Sequence, residues 1–315
     1  RQLKKETAAK NLCLAGGVAL NCVANGRLLR EGIFDNIWIQ PAAGDAGGAL
    51  GAAYAVYHTY RGQPRAKHPV GDAMQGALLG PAYASDDVSS RMDALGARYQ
   101  RLAGNALYDT VAKLLNDENV IGWFQNRMEF GPRALGSRSI IADPRSAAMQ
   151  SKLNLKIKFR ESFRPFAPAI KEEKLGDYFD LSEPSPYMLL VAEVKESIRK
   201  PVSASATGIE QLHQIRSSIP AVTHVDYSAR IQTVSEKTSP EFYALLDAFD
   251  RLTGCPVLVN TSFNVRGEPI VCTPEDAYRC FMATHMDYLV IGDLVLAKND
   301  QPEQNKREMG PKALD

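Results

Sequence analysis

Basic side chains crowd one stretch of the chain. Between positions 127 and 164 the sequence holds nine Lys or Arg residues against three acids, although the whole chain has a formal net charge of +1. Glycine or proline stands beside several of these cations, in the segments 131–136 (GPRALG) and 164–168 (RPFAP). Arginines held by a fixed backbone suit bidentate recognition of phosphate or carboxylate oxygens. The stretch therefore predicts an anion site, and a solvated basic face is the alternative interpretation.

Two nucleotide motifs are excluded. Segment 131–136 has the glycine spacing of a P-loop, but Ser137 and Arg138 follow where that motif needs Lys and then Ser or Thr. The Rossmann GxGxxG pattern is absent from the sequence. Four phenylalanines lie between positions 127 and 168, and we expect them in the core rather than stacked on bases. With a net charge near zero, neither a nucleic acid nor a membrane surface is an expected partner.

Three smaller groups of residues follow predicted strands. Gly16 and Gly17, with Asn21 after them, join a strand to a helix and could offer backbone N–H groups to an anion or form a tight turn. Asp45 is flanked by glycines and could bind a cation or cap a helix, and the residue types favour the cap. The polar run 260–264 (NTSFN) could hold phosphate or ribose, or form an Asx turn. His224 alone predicts no more than a core or surface histidine.

Strand and helix patterns alternate where these residues lie. The pattern predicts strands at 12–15 and 36–40 and helices at 18–30 and 47–60, a β-α-β-α unit of a mostly parallel sheet. A Gly- and Pro-rich linker is predicted at 61–76 and a polar flap at 195–218. Further predictions follow the same patterns: helices at 86–95, 106–116, 146–156 and 240–252, a helix beginning at Thr273, strands at 120–124, 187–194 and 256–259, a strand beginning at His224, and a frayed tail beyond Lys298.

Length and composition point to an ordinary globular protein of about two domains. Hydrophobic residues make up 45% and charged residues 23% of 315 residues, which argues against a disordered or fibrous chain. The five cysteines form no CxxC pair. An odd, scattered set is typical of reduced thiols, so we predict a cytoplasmic protein without a disulfide framework.

These motifs occur together, and in this order, in one family. The chain resembles the O-carbamoyltransferases of the nodulation-protein-U type, which also modify antibiotics. The matching stretches are 14–21 (LAGGVALN), 41–47 (PAAGDAG), 128–139 (MEFGPRALGSRS), 158–168 (KFRESFRPFAP), 224–226 (HVD) with Arg230, and 260–264 (NTSFN) with 267–269 (GEP).

The resemblance implies a fold and a reaction. Residues 1–80 would be the C-terminal part of an actin/hexokinase-type carbamoyl-transfer domain, and 81–97 a connecting segment. Residues 98–300 would be a YrdC-like α/β domain that makes carbamoyl-adenylate from carbamoyl phosphate and ATP, followed by a charged tail at 301–315. The carbamoyl group would then pass to a hydroxyl of a small molecule such as a natural product or sugar.

The resemblance also assigns roles to residues. The expected catalytic residues, which contact the phosphates and the carbamoyl group, are Arg133, Lys158, Arg160 and Arg230. The expected nucleotide- or phosphate-binding residues are Gly16, Gly17, Asn21, Arg138, Arg164, Asn260, Thr261, Ser262 and Asn264. Asp45 matches a metal ligand of the transfer site. Mg²⁺ is expected with ATP, and Fe²⁺ or another divalent metal at the transfer site.

One feature of the family is missing from the sequence. None of the five histidines forms the HxxxH spacing of the family's metal site, so we expect metal binding and transfer to need an absent N-terminal half or a separate subunit. Two other interpretations stay open. One is a maturation or tRNA-modifying relative that makes a carbamoyl- or threonylcarbamoyl-adenylate, and the other is a nucleotide-binding subunit or inactive fragment completed by a separate N-terminal half.

Overall fold

A small parallel sheet organises the beginning of the chain. The structure is a computed structural model that describes residues 1–66, 72–203, 208–212 and 214–303. After helix α1 (Gln2–Thr7), strand β1 (Asn11–Leu14) pairs in parallel with β2 (Asn36–Ile39), and helix α2 (Cys22–Arg30) connects them. Helix α3 (Asp45–Tyr54) follows β2 and ends in a π-helical turn, Ala55–Tyr60. The predicted β-α-β-α unit is present.

The first predicted helix is divided. Gly17–Leu20 forms a 3₁₀ turn, and α2 begins only at Cys22, so the helix expected from position 18 starts later. Asn21 causes the division, because its side-chain Oδ1 accepts a hydrogen bond from the N–H of Ala24 (3.1 Å). An amide oxygen in that position caps a helix N-terminus.

A nine-stranded mixed sheet forms the larger part of the molecule. Its order is β3-β11-β10-β4-β5-β9-β6-β8-β7. The strands are β3 (Gln100–Arg101), β4 (Ile121–Phe124), β5 (Arg138–Ala142), β6 (Ala167–Lys171), β7 (Leu190–Glu193), β8 (Ser228–Val234), β9 (Val257–Ser262), β10 (Tyr288–Ile291) and β11 (Leu294–Ala297). The strand predicted at His224 therefore starts at Ser228, and His224 lies in the turn before it.

Helices cover the large sheet. They are α4 (Ser85–Ala94), α5 (Asn105–Asn116), α6 (Met149–Lys156), α7 (Leu175–Tyr178), α8 (Ile209–Leu212), α9 (Pro240–Thr253) and α10 (Pro274–Met282). The start predicted for α10 is confirmed, because Thr273 and Asp276 form a reciprocal capping box. Helix α6 begins at Met149 rather than at position 146. None of the helices in the described ranges combines the length and apolarity that crossing a bilayer requires.

One core joins the sheet to its helices. Trp123, Phe249 and Phe281, on β4, α9 and α10, have no exposed surface. Helix α4 lies in the segment expected to be a connector, yet its Val88 and Met92 belong to this same core. Burial of such side chains is the main favourable contribution to folding.

The two segments expected to be loose are partly anchored. Asp72, in the predicted linker, accepts hydrogen bonds from the Tyr187 hydroxyl (2.7 and 2.9 Å). Within the predicted flap, Arg199 and Ser217 form a β-bridge. The rest of these two predictions, at 67–71, 204–207 and 213, lies outside the described residues.

The predicted frayed tail is ordered at its start. Gln301 is buried and donates a hydrogen bond to the Arg98 carbonyl (2.7 Å). Positions 304–315 lie outside the described residues.

The first 66 residues pack directly on the large sheet. Helix α2 lies against β7, and Asn25 Nδ2 donates to the Leu189 carbonyl (3.2 Å). Arg30 donates to the Val191 carbonyl (2.9 Å). Since these bonds join the two parts through backbone carbonyls, the N-terminal end of α2 is held at a fixed place beside the sheet.

Candidate functional site

A cavity of about 360 Å³ opens where α2 meets the large sheet. It falls within the size range of small-molecule sites, about 300–1,000 Å³. Four arginines line it, and the described residues that line it include no Asp or Glu. The lining residues are Cys22, Val23, Pro132, Arg133, Ala134, Arg160, Arg164, Pro165, Phe166, Ala167, Met188, Val191, His224, Arg230, Asn260, Thr261 and Ser262.

Three of the arginines come from distant parts of the sequence. Arg133 lies in the loop before β5, Arg160 in the loop after α6, and Arg230 on β8. Burial, followed by the charges of Arg133 and Arg160, lowers the pKa of Arg230 to about 10. Like charges that face each other without an acid between them form a site for an anion.

Packing fixes the side chain of Arg160, whereas that of Arg133 has an unsatisfied donor. Arg160 Nε donates to Asn154 Oδ1 (2.7 Å), and its guanidinium lies over the Phe166 ring at 5.0 Å. Burial, together with the charge of Arg164, lowers the pKa of Arg160. The Nε of Arg133 is buried and has no hydrogen-bond partner within the described part of the chain. A buried N–H without a partner costs free energy that a bound acceptor would recover.

Arg164 has a different environment. It lies at the edge of the cavity with 49% of its side chain exposed, and its Nε pairs with Glu161 Oε2 (2.9 Å). An exposed ion pair of this kind contributes little, about 0–1 kcal/mol. Arg164 is therefore less constrained than the other three.

The end of β9 forms one wall. Asn260, Thr261 and Ser262 all line the cavity, as the polar run predicted. Asn260 is fully buried, and its Nδ2 donates to the Ala134 carbonyl (3.1 Å) and to Gln232 Oε1 (2.6 Å). Its Oδ1 has no hydrogen-bond partner among the described residues.

Lys158 lies behind that wall. Its buried ammonium donates to the carbonyl and hydroxyl oxygens of Ser262 and to the carbonyl (2.9 Å) and Oδ1 (2.8 Å) of Asn264. Burial lowers the pKa of Lys158 to about 7. The structure does not bring Lys158 or Asn264 to the cavity surface. Lys158 instead holds the turn that carries Ser262, which corrects its expected contact with a phosphate.

The loop 131–136 already holds an anion of its own. Glu129 is buried, and its Oε1 accepts hydrogen bonds from the N–H groups of Leu135 (2.7 Å), Ser137 (2.8 Å) and Arg138 (3.2 Å). These donors are therefore not available to a ligand, which explains why the P-loop-like spacing does not make a phosphate loop. The role of Glu129 escaped the sequence analysis, although it is one of three acids in the basic stretch.

Arg138 does not reach the cavity either. Its buried guanidinium donates to the carbonyl oxygens of Gln125 (2.7 Å) and Pro81 (3.3 Å) and lies 3.5 Å from the centre of the Phe124 ring. Burial lowers the pKa of Arg138 to about 10. The predicted phosphate ligand is instead a structural cation on the other side of β5.

The glycine turn contributes through its neighbours. Gly16 donates its N–H to the Ala43 carbonyl (2.9 Å), and Asn21 caps α2, so the structure does not bring Gly16, Gly17 or Asn21 to the cavity. The next residues, Cys22 and Val23, line it instead. The residues predicted to bind nucleotide or phosphate at this turn are therefore not part of the cavity lining.

The residues present do not form a metal site around Asp45. Asp45 is exposed in the first turn of α3, where a carboxylate favours the helix dipole. No group of three or more His, Cys, Asp or Glu side chains in the described ranges could hold a metal ion. The predicted cap is wrong as well, because Gly44 is the N-cap residue of α3 and no described side chain caps this helix.

His224 is a cavity residue that sequence reasoning missed. It lines the cavity, and its Nδ1 lies 3.0 Å from the Ser228 hydroxyl, which donates to Asp226 Oδ1 (2.7 Å). Burial lowers the pKa of His224, the Asp226 charge opposes this, and the Arg230 charge adds to it. The HVD spacing with Arg230 was the available signal.

Two family models match the chain. The model described as "Carbamoyltransferase C-terminus" matches residues 112–298, which is more than half of the chain, and "Carbamoyltransferase N-terminus" matches residues 1–54. The first of these matches contains the four arginines and the end of β9.

Named relatives extend the similarity. Nodulation protein NolO of Bradyrhizobium diazoefficiens is 41% identical over 95% of this chain and 51% of its own length. The 3'-hydroxymethylcephem-O-carbamoyltransferase of Streptomyces clavuligerus is 32% identical over 90% of this chain and 48% of its own length. The chain spans about half the length of these relatives. Among solved structures, full-length HypF in its phosphate- and nucleotide-bound form overlaps with 65% of this chain and 22% of its own, at 16% identity and a TM-score of 0.39.

Proposed function

The chain belongs to the carbamoyltransferase family, and from this premise we propose that its arginine-lined cavity is the carbamoyl-activating site of an O-carbamoyltransferase. Carbamoyl phosphate and ATP are its proposed substrates, and carbamoyl-adenylate is the product that leaves for transfer. The observation that carries the proposal is the convergence of Arg133, Arg160 and Arg230 on one cavity without an acid among its described lining residues.

The reaction joins two polyanions. Carbamoyl phosphate, ATP and one water give carbamoyl-adenylate, pyrophosphate and phosphate. The bond between the carbamoyl group and phosphate breaks, a carbamate oxygen bonds to the α-phosphorus of ATP, and pyrophosphate leaves. Each substrate repels the other, so cations fixed before binding lower the barrier more than mobile cations would.

The described residues have separate proposed roles in this reaction. Arg133, Arg160 and Arg230 bind phosphate and carboxylate oxygens and stabilise the charge on the departing groups. Thr261 and Ser262 hold the nucleotide with hydroxyl groups at the end of β9, and Lys158 keeps that strand end in position. Mg²⁺ accompanying ATP would neutralise part of the phosphate charge when bound.

Transfer to the acceptor is proposed as a step separate from activation. The named relatives include an enzyme that acts on the 3'-hydroxymethyl group of a cephem, so the proposed acceptor class is a small-molecule hydroxyl. The residues around Asp45 do not form the expected metal site within the described part of the chain. We therefore assign activation to this chain and derive no transfer step from it.

Product analysis tests the proposal. The chain is incubated with ATP, Mg²⁺ and carbamoyl phosphate, and adenylates are identified by mass spectrometry while pyrophosphate and phosphate are measured. Carbamoyl-adenylate with equal amounts of pyrophosphate and phosphate is the expected result. A threonylcarbamoyl-adenylate formed only with threonine and bicarbonate would support the tRNA-modification alternative. A folded chain that binds no ATP in calorimetry would overturn the proposal.

A further inference from the structure

The cavity is lined by two side chains that can accept hydrogen bonds, in addition to its arginines. The arginines are donors only, so they suit the oxygens of a phosphate or carboxylate. His224 and Asn260 line the same cavity, and the hydrogen bonds around each of them determine which of its polar atoms remains free. An acceptor in such a place is unfavourable for a ligand that consists only of anionic oxygens.

The tautomer of neutral His224 follows from its neighbours. The Ser228 hydroxyl has one proton and gives it to Asp226 Oδ1 (2.7 Å). The Ser228 oxygen can then only accept from His224 Nδ1, 3.0 Å away. With its proton on Nδ1, the neutral ring has a lone pair on Nε2. Burial and the nearby Arg230 favour that neutral form.

The orientation of the Asn260 amide is fixed in the same way. Gln232 Nε2 donates to the Leu135 carbonyl (2.7 Å), so Gln232 Oε1 faces Asn260 Nδ2 at 2.6 Å. The second Nδ2 hydrogen goes to the Ala134 carbonyl (3.1 Å). Both amide hydrogens of Asn260 are therefore used, and its Oδ1 is a buried acceptor without a partner in the described ranges.

We propose that His224 Nε2 and Asn260 Oδ1 accept the two N–H groups of the carbamoyl amide, and so select a carbamoyl donor over other acyl phosphates. This inference rests on the proposed function. A carbamoyl phosphate presents oxygens along most of its length and a planar –NH₂ at one end, which matches three arginines beside two acceptors. A site built for N–H donors rejects an analogue that lacks them, because its buried acceptors then stay unpaired.

Acetyl phosphate provides the comparison, since a methyl group replaces the –NH₂ and all oxygens remain. Calorimetry on the whole chain would measure carbamoyl phosphate, acetyl phosphate and inorganic phosphate separately. We expect the wild type to prefer carbamoyl over acetyl phosphate by about 10- to 100-fold, from one or two buried hydrogen bonds. His224→Phe should reduce that preference to about threefold or less and change the affinity for inorganic phosphate less than twofold. His224→Gln keeps an acceptor and should therefore retain part of the preference for carbamoyl phosphate.

A second substitution covers the other acceptor. Asn260→Leu should reduce the same preference, and its folding is checked by circular dichroism because it also loses two buried hydrogen bonds. If His224→Phe, which keeps those bonds, leaves the preference unchanged, the inference is overturned even when the wild type binds both substrates.

The adenine amino group offers the same chemistry as the carbamoyl –NH₂. ATP is therefore compared with purine riboside triphosphate, which lacks that amino group. If His224→Phe changes the ratio of the affinities for these two nucleotides but not the ratio for carbamoyl and acetyl phosphate, the acceptors bind adenine and the inference is overturned. A wild-type chain that binds neither carbamoyl phosphate nor ATP would overturn the proposed function itself.

Discussion

Gly26 of α2 lies directly against the carbonyl of Val191 in β7. A Cβ built on Gly26 would come 2.2 Å from that carbonyl oxygen, closer than such atoms approach in proteins. Only glycine lets the helix pack this near to the strand. The contact fixes where α2 begins relative to the sheet, and so where Cys22 and Val23 enter the cavity.

The first prediction concerns this contact. Gly26→Ala should lower the free energy of unfolding by about 1–3 kcal/mol, because an added methyl in a packed contact forces the backbones apart. Gly48→Ala is the matched control, since Gly48 is also helical and has no atom within 4 Å of its would-be Cβ. Urea unfolding measures both. Equal stability of Gly26→Ala and wild type would show that α2 is not held by this approach.

The second prediction concerns the buried ammonium of Lys158. Lys158→Met should destabilise the chain by about 1–3 kcal/mol, because the oxygens of Ser262 and Asn264 that it binds lose a buried donor. Lys156→Met, two residues earlier and exposed, should change stability by no more than about 0.5 kcal/mol. Thermal unfolding compares the two variants. Similar melting temperatures would contradict the assignment of Lys158 to the turn after β9.

The third prediction separates binding from stability. Arg230→Gln should leave the ligand-free chain as stable as wild type or more stable, because it removes one of three like charges that face each other. Pyrophosphate should stabilise the wild type, by about 2.7 kcal/mol at 100 times its dissociation constant, and should stabilise Arg230→Gln much less.

The control for this prediction is Arg27→Gln, since the Arg27 side chain is 76% exposed and is not among the described residues that line the cavity. It should retain the full effect of pyrophosphate in thermal unfolding. Equal protection of Arg230→Gln and wild type would show that the anion binds elsewhere.

The fourth prediction concerns pH. Burial holds the pKa of His224 below its ordinary value of about 6.5; the Asp226 charge opposes this shift and the Arg230 charge adds to it. As the pH falls through about 6.5, His224 is protonated in the unfolded chain before it is protonated in the folded chain. The folded state therefore loses stability, and this loss ends once the pH is below the pKa of His224 in the folded chain. Above that range His224 is neutral in both the folded and the unfolded state and does not make the free energy of unfolding depend on pH.

Urea unfolding at pH 7.5 and 5.5 measures this effect. His224→Gln should lose less stability than wild type between the two values, whereas His285→Gln, at an exposed position, should lose as much as wild type. If His224→Gln loses as much stability as wild type between the two pH values, the lowered pKa of His224 is refuted.

Local sequence was enough for several conclusions. Residue types and spacing predicted an α/β chain, the β-α-β-α unit at the start and the capped beginning of α10. The ordered motifs also identified the family. Each of these depends on neighbours in the sequence, such as the Thr273 hydroxyl and the N–H three residues later.

Tertiary structure decided which of the basic and polar residues share a cavity. Arg133, Arg160 and Arg230 are separated by up to 97 positions in the chain and meet because β5, β6, β8 and β9 are neighbours in the sheet. Lys158 and Arg138 looked equivalent to them in sequence, yet both are directed to backbone oxygens elsewhere. A buried cation is satisfied by whichever oxygens the fold places around it, and only long-range packing determines those.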